Sequence, residues 1–381
     1  MNPATTETSR IPLLDMGALH GALQEELIRD FERVLRSGQF ILGPEHDAFE
    51  RELAAACRVS HAVGLASGTA ALSVALNALG VGPGDEVIVP AFTYFASASS
   101  VTSIGARPVF VDVEEKRWGI DPAGVAAAIT PRTKAIMPVH LYGLALEMDP
   151  VLEVARRASV PVLEDAAQAI GASDAGAPVG ARSSGAALSF FPTKNLGALG
   201  DAGAFVTNDE ALAARVRLLR VHGDAGHYRH VALGTNARLD ALQAAFLRTK
   251  LRHLPGWIEE RRRLAARYRT SLAGTPVTLP PDPGGAPHTY HQFTIRAPRR
   301  DALQARLAER GIATRIYYPI TLPAQPCFAY LGHRDDEFPV SERLAREALS
   351  LPVFPGLGEE RVDRVAAEIR AFYEGGGGNA S

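Results

Sequence analysis

The feature that most constrains this chain is a repeated alternation between short β-branched runs and helical patterns. Apolar runs of strand length recur at His61 to Ala66, Glu86 to Val89, Pro108 to Val111, Ala135 to Val139, Val160 to Leu163, Ala186 to Phe191 and Ala204 to Thr207. Helical periodicity separates several of them, at Ala70 to Leu79, Ala123 to Ile129 and Val151 to Ala158. Parallel strands need crossover connections, and crossover helices cover both faces of the sheet they span. The expected fold class is therefore α/β, a mostly parallel sheet with flanking helices. An amphipathic helix from about Leu19 to Arg36 and a second from about Glu45 to Cys57 precede it, with a break at Gly38 to Pro44.

After about Asp209 the pattern changes. Helical periodicity covers Glu210 to Leu219 and Ala237 to Arg269, then a smaller unit follows. It reads as a strand at Tyr290 to Arg296, a helix at Asp301 to Arg310, a strand-like Thr314 to Tyr318, and a last helix from about Glu359 to Tyr373. Four regions are expected: an N-terminal arm and helix over 1–44, a large α/β domain over 45–260, a small C-terminal α+β domain over 261–373, and a disordered tail over 374–381. The Pro/Gly-rich stretch Thr275 to Pro287 is expected as a loop within the small part.

Composition closes off several functions. A net charge of -2 gives no general pull toward nucleic acid or an anionic membrane, though it allows a local basic pocket. The two cysteines, Cys57 and Cys327, make neither a disulfide framework nor a metal-site spacing, so no metal is expected. Met1 to Pro12 lacks a basic start before an apolar core, and no run of about eighteen apolar residues occurs. A cytoplasmic protein is the expectation.

Chemistry enters through lysine. Only four of the forty lysine and arginine residues are lysine. Lys116, Lys134 and Lys250 stand where solvated lysines usually stand, whereas Lys194 follows the apolar run ending at Phe191 and opens a glycine-rich loop. Arginine stays protonated, while a desolvated amine can lose its proton and attack a carbonyl. A lysine kept here points to Schiff-base chemistry, against the plainer reading of a lysine snorkelling from a strand end.

Other residues suit the same chemistry. Ser67, Gly68 and Thr69 follow the first strand and open a helix, where backbone N–H groups and a hydroxyl favour an anion such as phosphate. Simple N-capping is the competing reading. Asp165 ends an apolar strand, the place where open α/β sheets bind ligands, although it could equally cap a following helix. Ser189 offers a hydroxyl on the next strand, and Tyr94 a flat face. In this order along one α/β domain the set suits pyridoxal 5'-phosphate. Lys194 would form the Schiff base, Asp165 would hold the pyridinium nitrogen, the helix N-terminus would take the phosphate and Tyr94 would stack on the ring.

The chain resembles the DegT–StrS family of pyridoxal-phosphate-dependent sugar aminotransferases, which have the type I aminotransferase fold. The resemblance spans Gln39 to Pro355, and its most specific motifs are Ala66-Ser67-Gly68-Thr69-Ala70-Ala71-Leu72, Glu164-Asp165-Ala166-Ala167-Gln168, Ser189-Phe190-Phe191-Pro192-Thr193-Lys194 and Asn236-Ala237-Arg238-Leu239-Asp240. It implies that Gly68, Thr69 and Ser189 bind the phosphate, and that Tyr94 stacks on the ring. It places Asp165 at the ring nitrogen and Gln168 near the ring hydroxyl. Lys194 becomes both Schiff-base lysine and proton shuttle. Asn236 would reach the phosphate of a partner subunit, which implies a homodimer with shared active sites. Relatives with histidine at the lysine position act as dehydratases, and Lys194 argues against that activity.

The resemblance also implies the substrates: L-glutamate as amino donor and a nucleotide-linked keto sugar as acceptor. The run Lys194-Asn195-Leu196-Gly197-Ala198-Leu199-Gly200-Asp201 is closer to relatives that aminate carbon 3 than to those that aminate carbon 4. Thr321 and Pro323 replace a proline and a histidine found in many relatives along a segment that borders the substrate. His222 and Tyr317 are the candidate substrate contacts. Amination of a cyclitol ketone and a non-catalytic regulatory role are the rival expectations. Against the second, no helix-turn-helix with a basic recognition face is visible, and the cofactor set would be unexplained.

Overall fold

The computed structural model describes residues 10–281, 288–334 and 336–375. Of the tail expected to be disordered over 374–381, Glu374 instead ends the last helix and 376–381 lie outside these residues, as do 282–287 of the Pro/Gly-rich stretch.

Seven strands build the central sheet: β1 (His61–Leu65), β2 (Glu86–Pro90), β3 (Arg107–Val111), β4 (Thr133–Ile136), β5 (Leu163–Asp165), β8 (Gly185–Ser189) and β9 (Gly203–Thr207). Between β5 and β8 lies a two-residue ladder, β6 (Ser173–Asp174) with β7 (Ala177–Pro178). Parallel bridges from Ile136 to Val162 and from Val139 to Asp165 join β4 to β5. The sheet order is therefore β1-β9-β8-β5-β4-β2-β3. All neighbours run parallel except β9, which is antiparallel to both β1 and β8. Every residue of β2 and β9 is buried, which is why these strands read as apolar runs rather than as alternation.

Helices cover the sheet. Gly68–Ala78 starts directly after β1, capped by Ser67, whose Oγ accepts the Ala70 N–H at 3.1 Å. Pro44–Ala56 begins with proline at its first position, where the missing N–H costs nothing. The expected helix over Leu19 to Arg36 is instead two, Met16–Gly21 and Gln24–Ser37, with a break at Ala22-Leu23 that buries Leu23 against Leu27 and Phe246.

The helix Ala241–Leu272 runs through residue 260 without interruption. Its first half, including Leu247, Leu254 and Ile258, packs into the cluster beneath β8 and β9. Its second half, including Leu264, Tyr268 and Leu272, packs into another cluster with Phe293, Ile295 and Ile369. That second cluster surrounds β10 (Phe293–Arg296), which pairs antiparallel with β11 (Ala348–Leu351). The helices Arg300–Glu309 and Glu359–Glu374 stand close by.

The strand expected at Thr314 to Tyr318 does not form. Only Arg315 bridges Ser350, and Pro319, which has no N–H to give a ladder, follows immediately. Lys250 also departs from expectation: it is 1% exposed, not solvated, because the long helix passes between the sheet and the N-terminal helices. Among the described residues no helix is long and apolar enough to cross a membrane.

Candidate active site

The strand ends and the loops that leave them enclose a cavity of about 330 Å³. Its wall brings together Gly68, Thr69, Tyr94, Asp165, Gln168, Ser189, Lys194 and Tyr317, which are eight of the ten residues nominated from sequence. Asn236 and His222 are not on that wall.

At one end stands the start of helix Gly68–Ala78. Ser67 is its N-cap, so the plain capping reading holds for that hydroxyl. A Cβ on Gly68 would lie 2.7 Å from Ser189 Cβ, and one on Gly203 would lie 2.3 Å from the Ser67 carbonyl carbon. Both glycines are therefore needed for the helix start to press against β8 and β9. The contact sets the N-terminal backbone beside the Ser189 hydroxyl, a positive, donor-rich corner suited to a phosphate dianion.

On the same cavity wall Asp165 closes β5, held in register by its own N–H donating to Pro138 O at 2.9 Å. No helix follows it to be capped. Its Oδ1 instead accepts the Ala167 N–H at 3.1 Å, and Oδ2 accepts the Ser97 hydroxyl at 2.7 Å. Burial pushes this carboxyl above its ordinary value, against the pull of Ser97, Ala167, Lys194 and His140.

Lys194 sits on the loop after β8, its N–H donating to Phe191 O at 2.8 Å. Burial pulls its amine down to about 8, while Asp165 pushes the other way. His291, also on the wall, has its imidazole pulled well below the ordinary value by burial, Lys194 and Arg261, and so stays neutral.

Gln168 has a fixed orientation. Its Oε1 accepts the Tyr142 N–H at 2.6 Å and its Nε2 donates to the Tyr318 hydroxyl at 3.1 Å. Tyr94 is 55% exposed and its ring lies 5.9 Å from that of Tyr318, which leaves aromatic surface facing the opening. Tyr317 lines the cavity while its carbonyl accepts the Tyr142 hydroxyl.

A carboxylate, an amine near neutrality and an anion corner around one cavity fit pyridoxal phosphate, whose ring nitrogen, aldehyde and phosphate need those three partners. The Gly68 and Gly203 contacts carry this test, because the corner exists only while both lack a side chain.

Asn236 lies exposed in a separate recess with Ala66, Arg238 and Gln243, and Asp201 borders both hollows. His222 is exposed on a loop, and its carbonyl lies 3.0 Å from His230 Nδ1. Thr321 and Pro323 are buried away from the cavity, and Thr321 donates to Glu342 at 2.6 Å. Sequence reasoning missed Ser97, Tyr318 and His291. Tyr318 adjoins the nominated Tyr317 and His291 lies within the run read as a strand, so both had a signal. Ser97 had none.

The chain is 49% identical over 366 residues to a "Pleiotropic regulatory protein" of Geobacillus stearothermophilus, covering 95% of this chain and 98% of the relative. It is 46% identical over 370 residues to the UDP-N-acetyl-3-dehydro-alpha-D-glucosamine 3-aminotransferase of Acidithiobacillus ferrooxidans, covering 97% of this chain and 100% of the relative. The crystal structure of S. venezuelae DesV in complex with a ketimine intermediate matches with a TM-score of 0.94 and 46% identity, covering 96% of this chain and 99% of that one. Residues 22–370 match the DegT/DnrJ/EryC1/StrS aminotransferase family as a whole. With that match and these identities along almost its full length, the chain belongs to the DegT/DnrJ/EryC1/StrS aminotransferase family.

Proposed function

We propose that this aminotransferase moves an amino group from L-glutamate to the carbon-3 ketone of a nucleotide-linked sugar. The cofactor is pyridoxal phosphate. The observation that carries the proposal is the placement of Lys194 and Asp165 on one cavity wall with the helix N-terminus of Gly68–Ala78. Similarity to a 3-aminotransferase supports carbon 3.

When bound, the cofactor supplies an aldehyde that condenses with amines and a ring that takes up the electron pair freed at the donor's α-carbon. This chain's residues do the rest. Gly68, Thr69 and Ser189 would hold the phosphate, Tyr94 would cover the ring, and Asp165 would keep the ring nitrogen protonated. Lys194, its amine lowered to about 8, would take the proton from the donor α-carbon and return it, on the same face, at the cofactor C4′. Neutral His291 beside it adds no positive charge that would depress the amine further.

The assembly we infer is a homodimer whose sites are completed across the interface. Asn236 lies outside the cavity that Lys194 lines, in a recess that Ile41 also lines, and Ile28, Phe31 and Phe40 expose further apolar surface on the N-terminal segment. Division near residue 260 belongs to the same reading, supported by the change of core along the long helix between Ile258 and Leu264.

The test offers matched 3-keto and 4-keto nucleotide sugars, together with a cyclitol ketone, and locates the new amine by NMR. Amination at carbon 3 is expected. Amination only at carbon 4 overturns the regiochemistry, and turnover of the cyclitol alone overturns the nucleotide-sugar acceptor.

A further inference from the structure

A buried carboxylate is costly unless donors meet its oxygens. One donor to Asp165, the Ala167 N–H, is backbone. The other is a side chain from a distant element: Ser97, on the helix Ala96–Thr102 that follows β2. Ser97 is fully buried and stands behind Asp165, off the cavity wall.

A carboxylate can only accept, so the single hydroxyl proton of Ser97 is committed to Asp165. Thr93 Oγ1 lies 3.3 Å from Ser97 Oγ, and Thr93 must then be the donor in that contact. Hydrogen bonds aligned in one direction polarise one another, and this line runs from Thr93 through Ser97 to Asp165. The Ser100 hydroxyl donates to Ser97 O at 3.1 Å and steadies the backbone there.

We propose that Ser97 is a positioning residue for transamination, its hydroxyl keeping the Asp165 carboxylate ionised and turned to the cavity. The proposal rests on the reading that Asp165 meets the ring nitrogen of the cofactor. Burial drives the Asp165 carboxyl up, and Ser97 is the foremost of the groups that oppose it. The other titratable groups facing Asp165 are Lys194 from the loop after β8, His140 from the segment after β4, and Tyr318. None is changed by replacing Ser97.

Removing a donor to the charged form raises the pH at which Asp165 takes its proton. Activity that needs the carboxylate disappears as pH falls through that value, so the acid limb of the rate profile moves upward.

The experiment compares Ser97→Ala, Ser97→Thr and Asp165→Asn in the reconstituted enzyme. For Ser97→Ala the acid limb of kcat is expected to rise by roughly one pH unit. The acid-side change in the bound-cofactor absorbance, where the carboxylate at the ring nitrogen is lost, should also move upward, and equilibrium dialysis should show weaker cofactor retention. Ser97→Thr keeps a hydroxyl and should restore all three. An alanine variant with unchanged midpoint and retention overturns the inference, as does a threonine variant that behaves like alanine. Should Ser97→Ala not fold, Ser97→Cys, a weaker donor of similar size, must show the same upward shift, and an unshifted profile overturns the inference. Asp165→Asn with wild-type turnover overturns the underlying reading. An inactive Asp165→Asn beside a wild-type-like Ser97→Ala overturns the role of Ser97 alone.

Discussion

Lys194 and Lys250 both have amines lowered by burial to about 8, and both belong to or touch the loop after β8, yet only Lys194 lines the cavity. Lys194 lines the cavity, whereas Lys250 Nζ donates to Gly197 O at 2.7 Å and lies 2.9 Å from His20 Nε2. Depressed basicity therefore does not separate them, and position does. Borohydride reduction of the holoenzyme followed by peptide mapping should place the pyridoxyl group on Lys194. A label on Lys250, or no label in a fully reconstituted sample, would overturn the assignment.

Asp165→Asn should keep the fold and lose most transamination. The amide preserves shape and can still accept from Ser97, but it carries no negative charge for the ring nitrogen. Removing a well-placed electrostatic partner costs on the order of 100-fold in rate. Steady-state turnover checks this, with near wild-type kcat in a cofactor-saturated variant as the contrary result.

Gly68→Ala tests the anion corner. The new Cβ would meet Ser189 Cβ at 2.7 Å and Ser189 Cα at 3.2 Å, so the helix start must back away from β8. Overpacking of this kind costs about 1–3 kcal/mol. Lower thermal stability is expected together with at least tenfold weaker cofactor binding, measured by fluorescence titration of the apoprotein. A variant that binds as tightly as wild type would show that the close approach is not needed.

The strands of the central sheet were legible because burial on both faces concentrates β-branched residues into short runs. β5 was misplaced by several residues: the run at Val160 contains Pro161, which cannot donate to a ladder, and pairing continues to Asp165 instead. The reversed direction of β9 left no mark, since a strand buried on both faces has the same composition in either orientation. The helix Ala96–Thr102, Ala-Ser-Ala-Ser-Ser-Val-Thr, offers no contrast between an apolar and a polar face. Ser97 was hidden for that reason. Lys250 was misread because its neighbours in sequence are charged, while its burial comes from helices distant along the chain. Local motifs named most of the cavity wall, and tertiary packing decided what lies behind it.

In the proposed role Lys194 must be neutral to attack the cofactor's aldehyde, and its amine changes state at about 8 rather than at its ordinary 10.5. Because the folded value is lowered, the protonated form dominates below about 8 and the reactive form above it. The rate of reconstitution of the apoprotein should therefore climb as pH rises toward that value and level off beyond it. Stopped-flow absorbance against pH reads this. A rate still rising steeply between pH 9 and 10, as roughly expected of an unperturbed lysine, would show that the amine is not desolvated in solution.

The recess that holds Asn236 borders Asp201, a residue of the Lys194 cavity, but does not include Lys194 itself. If Asn236 serves the site of a second copy, Lys194→Ala and Asn236→Ala damage different halves of each site. Mixing the two proteins equally and allowing exchange makes about half of the dimers mixed. In each mixed dimer one site carries both lesions and the other carries none. Two nearly inactive preparations should then recover about a quarter of wild-type activity. The recovery should depend on exchange, so chemical cross-linking of each variant before mixing should abolish it. Sedimentation gives an independent check, because shared sites require the active species to be a dimer. A fully active monomer, or no recovery after exchange has been verified by mass, would rule out completion of the site by Asn236 across an interface.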